Sequence, residues 1–260
     1  MLLYHDISPH ELDSFAQQID YFVKAYNFIT PSEFESHMSG ETVLKGHNLL
    51  ITFDDGFLSN KEAAEVLNQR NIKAIFFVVS DFVSLAEDSE AKRFIAKNMY
   101  PDMVQEEIPP LWKNMNWDDL RVLLSNGHTI GAHTRSHKRV SALEDELDIY
   151  SEIIKSAQVI ESQLDIKVDH FAFPFGNIKS LSQTALSVAT TKFKFIHSGF
   201  RGFNRTILCS SLVRRDSFTP TLNLNEIDFY LHGFSDYYYR DDVQTFVRWE
   251  SSSNQINDSI

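Results

Sequence analysis

The sequence of 260 residues contains one cysteine, Cys209. That excludes an internal disulfide and any zinc site built on several thiolates. Basic charge is also scarce: 24 Lys and Arg stand against 36 Asp and Glu, for a formal net charge of −12. Such a surface repels nucleic acid phosphates and anionic membranes, so neither is expected as a partner, whereas metal cations are not excluded. Long apolar runs are missing. The longest, such as Ala74 to Val79, fall far short of the roughly 20 residues that span a bilayer, so no membrane span is expected. The opening Met1-Leu2-Leu3-Tyr4-His5-Asp6 has neither the basic nor the apolar region of an export signal. The expectation is therefore a cytoplasmic protein, or an exported one whose leader has been removed. Any metal site must be drawn from Asp, Glu and the ten histidines.

A chain of this length buries roughly 73% of its unfolded surface, enough for one large core. One domain is expected over residues 1–250, with an insertion near 80–116 and a flexible polar tail over 251–260. Short apolar strands alternate with helical patterns. Strands are predicted at Met1–Tyr4, Asn48–Phe53, Lys73–Val79, His128–Ala132, Val168–Phe173 and Phe193–Ile196. Helices are predicted at Glu11–Tyr26, Lys61–Arg70, Trp117–Asn126, Leu147–Leu164 and Leu181–Thr190. Repeated strand–helix–strand units imply a parallel sheet, and their number favours a barrel over an open sheet. Residues 80–116 read as irregular: a functional loop or lid, or equally a surface excursion.

In parallel α/β folds the chemistry gathers where strands end. Thr52-Phe53-Asp54-Asp55-Gly56 places two carboxylates after an apolar strand. They are costly to bury without a cation or hydrogen bonds, though Asp-Gly is also an ordinary turn pair. Consecutive side chains diverge, so one could hold a metal while its neighbour faces a water on it. His133 and His137 follow another strand at i, i+4, which puts both on one face if the segment is helical. A carboxylate and two imidazoles leave open positions on a divalent ion. His5 ends the first strand beside Asp6, and an imidazole can protonate a leaving group near neutral pH. Pro174-Phe175-Gly176 could present backbone N–H groups to an oxyanion. Arg214, Arg215 and Asp216 follow an apolar stretch, either as a solvated ion pair or as part of a site.

Together these residues resemble the polysaccharide deacetylase family, also called the NodB-homology domain or carbohydrate esterase family four. Thr52 to Gly56 matches its first motif, Gly127 to His137 its second, and Phe173 to Gly176 resembles its third. The resemblance runs from about residue 1 to about 220. It implies a distorted (β/α)7 barrel and metal-dependent removal of acetyl groups from N-acetylated sugars. It implies Asp54 as general base, Asp55, His133 and His137 as metal ligands, and the Phe175 N–H at the oxyanion. Zinc is the first expectation for the metal, with cobalt, nickel, manganese or iron as alternatives.

Many members carry the acidic histidine late in the chain. His232 is set aside, because Asn223 with Glu226 resembles a capping box and Gly233 a helix stop, which makes His232 a helix end. Leu3-Tyr4-His5 fits instead, and resembles a circularly shifted branch that deacetylates poly-N-acetylglucosamine, so His5 is assigned as acid. The usual arginine before the third-motif proline is missing, and Asp6, Arg214, Arg215 and Asp216 remain as possible support. The expected function is deacetylation of an N-acetylated sugar (monomer, lipid- or nucleotide-linked, or oligomer) in surface polysaccharide assembly. A carbohydrate-binding protein with a relic site and a hydrolase of non-sugar amides are the alternatives.

Overall fold

In a computed structural model, residues 1–204 and 210–257 are described, so Cys209 and the last three tail positions lie outside the described residues. The elements run β1 (Leu2–Tyr4), α1 (Leu12–Ala25), β2 (Asn27–Phe28), α2 (Pro31–Met38), β3 (Asn48–Leu49), β4 (Ile51–Phe53), α3 (Ser59–Asn68), β5 (Ala74–Val78) and α4 (Ser80–Val83). They continue with α5 (Asp88–Phe94), α6 (Trp117–Ser125), β6 (Thr129–Ala132), α7 (Glu146–Leu164), β7 (His170–Ala172), α8 (Gln183–Thr190), β8 (Phe195–His197), β9 (Leu212–Val213), β10 (Asp216–Ser217), α9 (Leu224–Leu231) and α10 (Arg240–Asn257).

Eight strands form one parallel sheet in the order β10-β1-β4-β5-β6-β7-β8-β9. The two edge strands are consecutive in the chain, so Arg214 and Arg215 carry the backbone from one edge to the other. Counted together, β9 and β10 are one broken strand. The sheet is thus a seven-stranded barrel of the α/β type, open to hydrogen bonding at one seam and closed there by the covalent chain. The Asn48–Phe53 run divides: β3 leaves to pair with β2 in a separate two-stranded sheet, and only β4 enters the barrel.

The strands are short and apolar because both faces are buried. Leu2, Tyr4, Ile51, Phe53, Phe76, Val78, Ile130 and Phe171 pack against the helices. Ile75, Phe77, Ala172, Phe195 and Val213 face the interior, where Phe34 and Met38 of α2 close one end. Helix α2 has a signal that the patterning above does not use. Thr30 accepts from the Glu33 N–H, Glu33 reaches back, and Pro31 occupies the first turn. Inside the barrel, His170 Nδ1 lies 3.0 Å from His197 Nε2, and His170 Nε2 lies 3.0 Å from Glu35 of α2.

One expectation needs correcting. Residues 80–116 are not irregular throughout: α4, α5 and a following π-turn, Ile95–Met99, pack Phe82, Ala91, Ile95 and Met99 into their own apolar cluster. Helix α10 takes in the polar segment from Ser251 as far as Asn257. His232 is the C-cap of α9, after an Asn223–Glu226 capping box.

His128 ties three elements together. Its Nδ1 accepts from the Ala74 N–H at 3.1 Å and its Nε2 faces Asn68 Oδ1 at 3.1 Å, so only the neutral ring with Nε2–H satisfies both. Burial, and to a lesser degree Lys73, lowers its pKa to about 4. The unfolded ring titrates near 6.5. Between about 6.5 and 4 the unfolded state therefore binds the proton and the folded state does not, so stability falls as pH falls through that window. At about 1.4 kcal/mol per unit the loss reaches about 3 kcal/mol. Denaturant midpoints measured between pH 7 and 4 should fall, and His128→Phe should flatten that slope. An unchanged slope in the variant contradicts the assignment.

Candidate active site

The site forms where β1, β4, β6 and β7 end. The chain reverses just after β4: the Asp54 N–H donates to the Tyr4 carbonyl, and Asp55 and Gly56 take φ of 76° and 91°. Aspartate tolerates this left-handed conformation better than most residues do. The turn sends consecutive carboxylates in different directions, and both are buried.

Asp54 faces the barrel seam. Arg215 Nη1 and Nη2 donate to its two oxygens at 2.6 and 2.9 Å. Arg215 is fully buried, donates from Nε to the Ser198 carbonyl at 3.0 Å, and lies 5.0 Å from the Phe77 ring centroid. A buried guanidinium needs this many partners. Of the three charged residues left open at this stretch, the structure brings only Arg215 to the carboxylates. Arg214 points toward Asp236 at 3.9 Å and Asp216 toward Arg201 at 3.6 Å.

Asp55 faces the histidines. Its Oδ1 lies 3.4 Å from His133 Nε2 and 3.2 Å from His137 Nε2. The other ring nitrogens fix the tautomers. His133 Nδ1 is 2.8 Å from the Ala172 carbonyl and His137 Nδ1 is 3.2 Å from the Asn98 carbonyl, so each must donate there. In the neutral rings both Nε2 atoms then present lone pairs toward Asp55 Oδ1, which has no hydrogen-bond partner of its own. Three acceptors converge, all within 4.8 Å of one another, with no proton between them. That is the donor set of a divalent cation site, each imidazole oriented by a carbonyl behind it. The titration behaviour points the same way. Burial would raise Asp55, but hydrogen bonds from the two imidazoles, made only when their Nε2 atoms carry a proton, hold it well below the usual carboxylate range, so positive charge at this point is favoured. Burial would lower His137, but the Asp55 carboxylate raises it.

The histidines do not meet through helical spacing. Residues 133–137 are a loop in which Thr134 and His137 each have φ of 60°. Helix α7 holds that loop through buried Glu152, which accepts from the Ser136 N–H at 2.8 Å and its hydroxyl at 2.6 Å. Ser156 donates to the Thr134 carbonyl. Of the described non-glycine residues at positive φ, Asp55, Thr134, His137 and Phe175 all sit at this site, a concentration of backbone strain typical of function.

Phe175 has φ of 64°, and its N–H meets no acceptor among the described residues. The turn depends on Gly176, where a Cβ would lie 2.5 Å from the Gly199 nitrogen. The Phe175 ring lies 5.0 Å from His137 and has the Arg139 guanidinium 4.3 Å above it.

His5 is near enough for its charge to bear on Asp55. Asp6 is engaged away from the His5 ring: it accepts from Ser59 at 2.6 Å and from Trp112 Nε1 at 2.9 Å. It anchors this segment instead, as does Asn60, which donates to the His5 carbonyl. Trp112 and Tyr100 come from residues 80–116, their rings 4.7 Å apart. Burial first, then Asp55 and Asp6, pushes the Tyr100 phenol up to about 12, so it remains a donor at neutral pH.

The sequence model of the polysaccharide deacetylase family matches residues 42–193, and the chain belongs to that family, whose members are hydrolases of N-acetylated sugar amides. IcaB from Ammonifex degensii superposes with a TM-score of 0.67 at 23% identity, covering 84% of this chain and 91% of that one. The Streptococcus pyogenes deacetylase PplD gives 0.68 at 18% identity, covering 88% and 96%. A de-N-acetylase from Aggregatibacter actinomycetemcomitans gives 0.67 at 15% identity, covering 88% and 98%. At these identities the likeness is one of fold. No match is found among curated proteins.

Removing the guanidinium strands a buried carboxylate. Arg215→Met is expected to destabilise the protein by about 3–5 kcal/mol, against about 1 kcal/mol for the exposed pair partner Arg121→Met. Chemical denaturation of both variants checks this, and equal losses would contradict it.

Proposed function

We propose that this chain is a divalent-metal-dependent N-deacetylase of an N-acetylated sugar, with Asp54 as base and His5 as acid. The observation that carries the reading is the convergence of Asp55 Oδ1 and the two imidazole Nε2 atoms beside an arginine-held second carboxylate. The donor set, two nitrogens and one oxygen, suits zinc, with cobalt, nickel, manganese or iron as alternatives. A divalent ion held by Asp55, His133 and His137 would polarise the acetyl carbonyl and acidify a water.

The chain's own groups do the rest. Asp54 accepts the proton of the attacking water, and the two Arg215 bonds hold its oxygens in place for that transfer. The water oxygen bonds to the carbonyl carbon, and the Phe175 N–H donates to the oxyanion that forms. The C–N bond then breaks, and His5 gives its proton to the leaving amine. Acetate and the free amino sugar result. Asp6, Ser59, Asn60 and Trp112 keep the His5 segment in position.

The third-motif stretch Val168 to Pro174 lacks an arginine, the feature that favours a relic site. Arg215 supplies that guanidinium from the barrel seam, so this feature no longer favours a binding-only protein. His5, directly after the first strand, supports the circularly shifted, poly-N-acetylglucosamine-type branch. A role in surface polysaccharide assembly is proposed with it. Among the described residues no helix is long and apolar enough to cross a membrane.

Acetate release from an N-acetylglucosamine tetramer and hydrolysis of 4-nitrophenyl acetate test both roles at once, using metal-loaded protein. Asp54→Asn should lose about 10²–10⁴-fold on both substrates. His5→Gln should lose as much on the tetramer but little on the ester, whose leaving group needs no proton. Wild-type rates in Asp54→Asn, or equal losses for His5→Gln on the two substrates, would overturn the respective assignment.

A further inference from the structure

A cavity of about 450 Å³ opens beside the metal cluster, with His137 and Phe175 in its wall. Its other lining comes from two places: residues 97–103, at the end of the π-turn, and Lys138 and Arg139, directly after His137. Charge sets it apart. In a chain of net charge −12, this wall carries Lys97, Lys138 and Arg139 against one carboxylate, Asp102. Lys138 is partly engaged, 3.5 Å from Glu152. Neither Lys97 nor Arg139 is paired with a carboxylate among the described residues. Arg139 instead lies over the Phe175 ring, its guanidinium carbon 4.3 Å from the centroid, a contact that leaves its N–H groups without a carboxylate partner.

Three cations against one carboxylate reverse, at this cavity, the acidic balance of the whole chain. Two segments that meet only in the folded structure supply them, around a cavity that shares a wall with the cluster. We propose that this cavity is a subsite for a negatively charged group on the substrate. The substrate class is then an N-acetylated saccharide bearing a carboxylate or phosphate about one sugar unit from the acetamido group. This rests on the deacetylase reading and adds the substrate's charge to it. The stacked Arg139 gives a planar fork to the anion, Lys97 and Lys138 act as point charges, and the exposed Phe175 ring offers an apolar face to the sugar. The acidic remainder of the surface repels the same anion, so the field directs it to this cavity.

The test compares kcat/KM of the metal-loaded enzyme on three probes. These are the neutral N-acetylglucosamine tetramer, a tetrasaccharide alternating N-acetylglucosamine with glucuronate, and UDP-N-acetylglucosamine. At least one anionic probe should be preferred over the neutral tetramer, and which one distinguishes carboxylate from phosphate. The Lys97→Gln, Arg139→Gln double variant should lower that preference about tenfold, the combined size of two exposed ion pairs. Raising salt from about 50 to about 500 mM should erode it in wild type, and Arg139→Lys should recover part of it. Acetate from the neutral tetramer at an efficiency equal to or above both anionic probes overturns the subsite and leaves the deacetylase reading standing. An unchanged preference in the double variant also overturns it. No acetate from any probe overturns both.

Discussion

Three buried acceptors aimed at one point cannot be left without positive charge. His133 and His137 each donate from Nδ1 to a backbone carbonyl, so their remaining lone pairs meet a carboxylate oxygen that has no partner. Without a cation or a proton such a cluster is repulsive, and it sits where desolvation makes repulsion most costly. Much of the surrounding structure maintains it. The Asp55 turn, the two left-handed residues of the histidine loop and the Glu152 and Ser156 bonds from α7 all hold side chains against that tendency.

The barrel seam has a comparable role for the second carboxylate. The sheet does not close by hydrogen bonds between β9 and β10, because one passage of chain supplies both edges. Arg215 lies in that passage, and its guanidinium points back to Asp54. Closure of the barrel and orientation of the carboxylate are therefore one structural feature. A buried ion pair is a poor source of net stability but a good source of fixed geometry, and this one is fully withdrawn from water.

Much of this was legible in the sequence. The apolar strands, the amphipathic helices and the parallel arrangement followed from periodicity, and the resemblance carried the barrel. The residues that converge were named from strand-end position. What failed is equally specific. The i, i+4 spacing of His133 and His137 would share one face only on a helix, but two residues at positive φ make a loop, and nothing in the spacing announces that. Arg215 could not be told from Arg214 or Asp216, because the choice depends on a seam between strands that are neighbours in sequence and opposite edges in space. Glu152 lies on the inner face of a long helix and reads as an ordinary helical glutamate. Helix α2 was missed although Thr30-Pro31-Ser32-Glu33 carries a capping box with an N-terminal proline.

The chain thus joins a strained, acceptor-rich centre to a rigid carboxylate on one side and a basic cavity on the other. All three depend on loops at one end of a barrel whose interior is packed and whose far end is closed by α2. The most direct test of the central claim is titration of chelator-treated protein with Co²⁺, followed by visible absorption and calorimetry. The account predicts one ion per chain, with binding lost in Asp55→Ala and in His133→Ala but kept in Asp54→Asn. Absence of binding in the wild-type protein, or binding unaffected by loss of Asp55 and His133, would contradict it.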